Sequence, residues 1–184
     1  DTLALFMAIQ RADLRILAIE RPFLKALTST SRQLIFLNDD PTRRMAAVKT
    51  TAAHLKAGGA ALTFPAGKID PDPAVYPGAV EALGGWSDSA GILARFAPGT
   101  KVIPTLVSGV LWEKAVKHPL THIKKTRFER EKLGAALQLL AHIQFNQTPL
   151  RVKVQFGQPI ATDGMDSGEI HANVLQQMKS LIQG

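Results

Sequence analysis

Cysteine is absent from all 184 residues. That excludes disulfides, thiolate-bound zinc, iron–sulfur clusters and a thiol nucleophile at once. Aromatic residues are scarce at 6%, with one tyrosine, which is thin for a base-stacking platform. No apolar run approaches the roughly 18–20 residues needed to span a bilayer. Neither Gly-x-Gly-x-x-Gly nor Gly-x-x-x-x-Gly-Lys-Ser/Thr occurs, so a nucleotide-binding loop has no support in the sequence.

Hydrophobic residues make up 46% and charged residues 20%. That balance suits one folded domain with a real core, and no repeat or linker divides residues 1–184. Lys plus Arg is 22 against 15 for Asp plus Glu, a net charge of +7. Such an excess favours an anionic partner: nucleic acid, phospholipid headgroups or an acidic carrier.

Short β-rich runs alternate with helical runs, which predicts an α/β domain with a mostly parallel central sheet flanked by helices. Residues 2–10 read as a helix whose stripe, Leu3, Leu5, Phe6 and Ile9, faces the core. Leu14–Ile19 and Leu34–Leu37 read as strands, with an amphipathic helix over 22–32 between them. Asp40 is the natural N-cap of the next helix and Pro41 its first residue. Met45, Val48, Ala52 and Leu55 then form one apolar stripe, and Gly58-Gly59 ends it. A strand is expected at Ala61–Phe64. Residues 64–91 hold nine of the 25 glycine and proline residues, the mark of a long functional loop. Beyond it come a short helix over 89–97 and a strand at Lys101–Val107. A helix over 127–145 has Leu133, Leu137 and Leu140 inward. An edge strand at Arg151–Phe156 and a helix over 167–182, burying Ile170, Val174, Met178 and Leu181, complete the reading.

Ligands of such sheets lie outside the carboxyl ends of the strands, where Phe64-Pro65-Ala66-Gly67-Lys68 is expected. Gly67 would let backbone approach a ligand closely, and Lys68 offers a positive charge. This segment resembles the Phe-Pro-Glu-Gly-Thr-Arg block of the glycerolipid (phospholipid/glycerol) acyltransferase superfamily. About 35 residues later Val102-Ile103-Pro104-Thr105 is similar to that family's Val-Pro-Val strand. Leu34–Asp39 stands where its second block, Gly-x-x-Phe-Ile-x-Arg, is expected. Val154–Ile160 is similar to its closing strand. The four blocks keep the family order across nearly the whole chain.

The resemblance implies a glycerol-3-phosphate acyltransferase-like fold and a His-x-x-x-x-Asp dyad. None of the five histidines has Asp five residues on. Asp1, followed by a helix and Ala12-Asp13-Leu14-Arg15, looks like the motif's Asp, which would put the catalytic His five residues before Asp1 and leave the chain as given without its base. By the same resemblance Phe64, Pro65, Ala66, Gly67 and Lys68 bind the acceptor. The family's Glu is Ala66 here, its Thr-Arg is Lys68-Ile69, and its second block ends in Asn38-Asp39. Both usual phosphate-holding arginines are thus absent from their places, and Lys68, Arg43 or Arg44 would have to compensate.

The implied reaction moves a fatty acyl group from acyl-CoA or acyl-carrier protein to a hydroxyl of a lysophospholipid or glycerol-phosphate-type acceptor. It uses no metal and no further cofactor. The alternative is a catalytically inactive lipid- or carrier-binding module of the same fold. The basic run from Lys114 to Lys132 fits peripheral contact with an anionic membrane at its cytoplasmic face, with nucleic acid the lesser expectation. His118 and His122 are interrupted by Pro119 and have no acidic companion, so a metal site is not expected there.

Overall fold

The computed structural model describes residues 2–20, 24, 32–145 and 151–184. The first helix, α1, is Thr2–Ile9; strand β1 is Arg15–Ile19 and β2 is Leu34–Leu37. Helix α2 runs Pro41–Lys56, followed by β3 at Ala61–Leu62. These strands form a parallel sheet in the order β2-β1-β3, with Ile16 opposite both Leu34 and Leu62. The middle strand is covered on both faces, and its adjacent residues Ile16 and Leu17 are both buried.

The cause of α2 is local. The Asp40 carboxylate accepts from the Arg43 N–H at 2.8 Å, Pro41 opens the helix, and Gly58 leaves it at φ +84°. The α2 stripe is narrower than its periodicity predicts: Ala47, Thr51 and Ala52 are buried while Met45 is exposed. The stripe of α1 divides too, with Leu5 buried, Phe6 and Ile9 half-buried and Leu3 exposed. The helix expected over 22–32 lies outside the described residues. At the amino end of the sheet Arg11 grips Asp13 at 2.6 Å and the Gly58 carbonyl at 2.9 Å, and its hydrogen bond holds the Asp13 carboxyl down at about 2.

The loop 64–91 carries a short helix, α3 (Ala79–Ala82), and a 3-10 turn at Leu83–Gly85. Helix α4 is Ser89–Phe96, β4 Lys101–Val102, β5 Thr105–Ser108 and α5 Glu113–Val116. Helix α6 is Arg127–Phe145, β6 Lys153–Phe156, β7 Ile160–Ala161 and α7 Ser167–Gln183. The α/β class stands, but one mostly parallel sheet does not. Beside the three parallel strands lie two antiparallel pairs, β4 with β7 and β5 with β6. The single strand expected over 101–107 breaks at Ile103-Pro104. Pro104 has no N–H to give a ladder, and its carbonyl accepts from the Gly157 N–H at 2.7 Å, where the two pairs meet.

The main core packs Leu83, Leu106, Ile160, Val174 and Met178 together, with Trp86, Val102 and Leu181 against them. Helix α7 supplies the buried face its spacing predicts, opened by a reciprocal cap between Asp166 and Glu169. Helix α6 is turned relative to expectation. Its buried residues are Glu131 and Gly134; Leu133, Leu137 and Gln138 are half-buried, and Leu140 is 62% exposed. Close approach sets that rotation: a Cβ on Gly134 would stand 2.9 Å from the Val116 Cα. Gln138 fastens it, accepting from the Trp112 N–H at 2.7 Å and donating to the Val110 carbonyl at 3.2 Å.

Candidate functional site

The three parallel strands end on the same side. Glu20 follows β1, Asn38 and Asp39 follow β2, and Thr63 followed by Phe64–Lys68 leaves β3. Glu20 Oε2 accepts from Asn38 Nδ2 at 3.1 Å, half-buried, which ties two strand ends together. Asn38 Oδ1 accepts from the Asp40 N–H at 2.9 Å and so fixes the entry to α2. Arg44 Nε donates to the Asn38 carbonyl at 3.3 Å, and its guanidinium stands 3.7 Å from the exposed Asp39 carboxylate. Arg43 contributes its backbone N–H to the Asp40 cap and is exposed. Since β1 separates β2 from β3, the Arg44 side of the site and the Phe64 side lie two strand spacings apart, about 10 Å.

The segment after β3 is a tight turn. The Gly67 N–H donates to the Phe64 carbonyl at 3.1 Å, and Gly67 has φ +62°, which a side chain would strain. Apart from its chain neighbours, no atom lies within 4 Å of where a Gly67 Cβ would stand, so the space beside this glycine is open. Phe64 is 42% exposed and Lys68 is exposed, while Pro65 and Ala66 are half-buried. The turn is held from behind. The Pro65 carbonyl accepts from both the N–H and the hydroxyl of Ser87, at 2.9 and 3.0 Å. Thr63 Oγ1 donates to Ser89 Oγ at 3.1 Å, at the first turn of α4. The Lys68 ammonium lies beside Gly85, 3.9 Å from where a Cβ there would be.

Two carboxylates that sequence reasoning missed shape this loop. Asp70 Oδ2 accepts from Trp86 Nε1 at 2.7 Å, while its other oxygen is buried without a partner among the described residues. Asp72 accepts from the N–H groups of Ala74, Gly109 and Val110, at 2.9, 3.1 and 3.0 Å. It pins the loop to the end of β5, where Gly109 takes φ +74°. The Asp70-Pro71-Asp72-Pro73 run was the only available signal, and it does not say which distant backbone it will hold.

Behind Asp72 stands Glu131 of α6, only 4% exposed. Arg127 Nε is 3.1 Å from one of its oxygens, yet neither oxygen has a well-formed hydrogen bond among the described residues. Burial pushes the Glu131 carboxyl up; Arg127 pulls it back, and the Asp72 charge adds to the rise. A carboxyl with a raised folded-state pKa stabilises fully below its ordinary value and loses that contribution as pH climbs through the folded value. Glu131→Gln removes this titration. The stability of the variant relative to wild type should therefore improve between about pH 4.5 and pH 8. Urea denaturation at the two pH values measures it, and an unchanged difference would rule the effect out.

Of the expected site residues, Phe64 to Lys68 form one open turn at the carboxyl edge, and Arg44 lies at the neighbouring strand end. No hydrogen bond or ion pair among the described residues joins Arg43 or Arg44 to the turn. Asp1 lies outside the described residues. Compared with protein-family models, curated proteins and solved structures, the chain finds no match.

Proposed function

We propose that the chain is an acyltransferase domain of the glycerolipid type. It would move a fatty acyl group from acyl-CoA or acyl-carrier protein to a hydroxyl of a lysophospholipid or glycerol-phosphate-type acceptor. The observation that carries the reading is the open Gly67 turn at the carboxyl edge of β3, beside the Glu20–Asn38 strand ends. A ligand of a parallel sheet is expected at that edge, and the sequence block resembling the family's acceptor-binding block falls there.

The chemistry proposed is direct transfer. In the proposal, the motif histidine that the resemblance implies takes the acceptor's hydroxyl proton as the oxygen attacks the thioester carbonyl. Asp1 holds the imidazole in the needed tautomer. The C–O bond forms, the C–S bond breaks, and the proton passes from the imidazolium to the leaving thiolate. Lys68, after β3, and Arg44, on the helix that follows β2, supply positive charge for an acceptor's phosphate. Neither offers a paired-arginine cradle, so a lysolipid with a larger headgroup fits better than bare glycerol phosphate.

The replacement of the family's Glu by Ala66 favours a second reading, a binding module of the same fold without turnover. One assay separates the two. Full-length protein is given palmitoyl-CoA with glycerol phosphate, lysophosphatidic acid or neutral lysolipids, and free CoA is measured. Release that depends on a lysolipid acceptor is expected. Folded protein that binds lysolipid but releases no CoA would leave the binding module, and sole use of glycerol phosphate would overturn the acceptor assignment.

A further inference from the structure

Helix α6 has a second apolar stripe, on the side away from its packed face. Phe128, Lys132, Ala135, Leu139 and Ile143 recur at spacings of 4, 3, 4 and 4, so they share one helical face. All five are exposed, Leu139 at 60% and Ile143 at 70%, and Leu140 and Phe145 beside them are as open. The face is about 25 Å long, from the rise of a helix. A water-facing helix side normally carries polar residues, so a largely apolar one, broken only by Lys132, marks an interaction surface.

The charges around the stripe choose its partner. Lys132 lies within the stripe, its ammonium 4.2 Å from the Phe128 ring centre, with its stem along the apolar surface. Lys124 and Lys125, both exposed, precede the helix. After Glu131 there is no carboxylate until Asp163. The acids near the amino end are engaged: Glu129 caps Thr126, and Glu131 is buried beside Arg127. The surface is thus convex, apolar along its crest and cationic, with no acid free on it. Among the described residues no helix is long and apolar enough to cross a membrane, which leaves this helix the geometry of one lying in the interface plane.

We infer that the outer face of α6 docks the protein on an anionic lipid bilayer, with Phe128, Leu139 and Ile143 entering the headgroup boundary and Lys132, Lys124 and Lys125 meeting lipid phosphates. The inference gives the proposed acyl transfer its membrane surface, but it draws on exposure and charge alone. Sedimentation with vesicles tests it, using phosphatidylcholine with about one third phosphatidylglycerol against pure phosphatidylcholine at about 0.15 M salt. The protein is expected to pellet with the anionic vesicles and to stay free with the neutral ones. Leu139→Glu with Ile143→Glu should weaken binding about 100-fold, and each of Lys124→Ala, Lys125→Ala and Lys132→Ala about five-fold. Should the double variant not fold, Leu139→Cys carrying an environment-sensitive fluorophore reads the same contact, with a blue shift expected on anionic vesicles only. No pelleting, unchanged pelleting of the double variant, or no blue shift would overturn the inference. So would concentration-dependent self-association through this stripe without vesicle binding, which would assign it to a second copy of the chain. Acyl transfer between a short-chain water-soluble donor and acceptor should be unaffected by the stripe variants, so loss of docking and failure of the enzymatic reading are separable.

Discussion

Asp1→Asn in the full-length protein is expected to lower turnover by about 10⁴-fold while leaving the fold intact. The size follows from what the carboxylate does in the proposed dyad. It does not take the proton. It fixes which imidazole nitrogen carries the hydrogen and stabilises the imidazolium as the acceptor oxygen attacks. Asn keeps the shape but can present an N–H to the imidazole, which selects the wrong tautomer. The effect belongs in kcat, because the proposal assigns the acceptor to other groups: the Phe64–Lys68 turn and the charge of Lys68. A KM for lysolipid that stays within a few-fold of wild type, alongside the collapse in kcat, is the expected pattern. Steady-state CoA release with saturating palmitoyl-CoA, checked by circular dichroism, measures both. Full turnover in Asp1→Asn would remove Asp1 from the mechanism, whatever the enzyme's substrate. Lys68→Ala provides the contrast, because a point charge on an exposed side chain that helps hold the acceptor should raise KM and leave kcat largely alone.

How much of this was legible in the sequence depends on how local each cause is. The start of α2 was legible because Asp40, Pro41 and the Arg43 N–H lie within four residues of one another. The carboxyl-edge position of the Phe64–Lys68 turn was legible for a similar reason, since a strand and a turn glycine are neighbours in the chain. The rotation of α6 was not. Leu133, Leu137 and Leu140 make a valid apolar stripe, but so do Phe128, Leu139 and Ile143, and periodicity cannot rank two stripes on one helix. The decision was taken by Gly134, which lets α6 close on Val116, and by Gln138, whose amide is consumed by Val110 and Trp112. Small and polar residues turned inward carry no hydrophobic signal. The anchoring of Asp72 on Gly109 and Val110 was hidden for another reason: 37 and 38 residues separate the partners. The break at Pro104 was visible as a proline inside a strand run, and that run should have been read as two.

Gly91→Ala is expected to destabilise this fold through a single methyl group. Helix α4 crosses the start of α7 at this glycine. A Cβ there would stand 2.5 Å from the Ser167 carbonyl oxygen and 2.2 Å from Asp88 Oδ1. The backbone neighbour cannot retreat at little cost. Ser167 is the first residue of α7, next to the Asp166–Glu169 reciprocal cap, so moving its backbone undoes that cap. Asp88 Oδ1, a side-chain end that has no partner among the described residues, can turn aside, so the fixed obstacle is the Ser167 backbone. Alanine is favoured over glycine in a helix by about 0.5–1 kcal/mol, but the overpacking costs about 3 kcal/mol or more against fixed backbone. The clash wins by about 2 kcal/mol, which corresponds to a fall in Tm of roughly 4–8 °C for a chain of this size. Gly84→Ala is the matched control: no atom lies within 4 Å of its Cβ position, and its Tm should stay close to wild type. The strain at 91 also has a direction. Asp88 and Ser89 sit between the clash and the turn, and Ser89 Oγ accepts the Thr63 hydroxyl just before Phe64. Gly91→Ala should therefore loosen the Phe64–Lys68 turn as well as the helix pair, raising the acceptor KM at temperatures where the variant is still folded. Thermal unfolding and KM measured on the same preparations test both halves. A Tm equal to that of Gly84→Ala would mean that α4 and α7 do not meet as closely as position 91 requires.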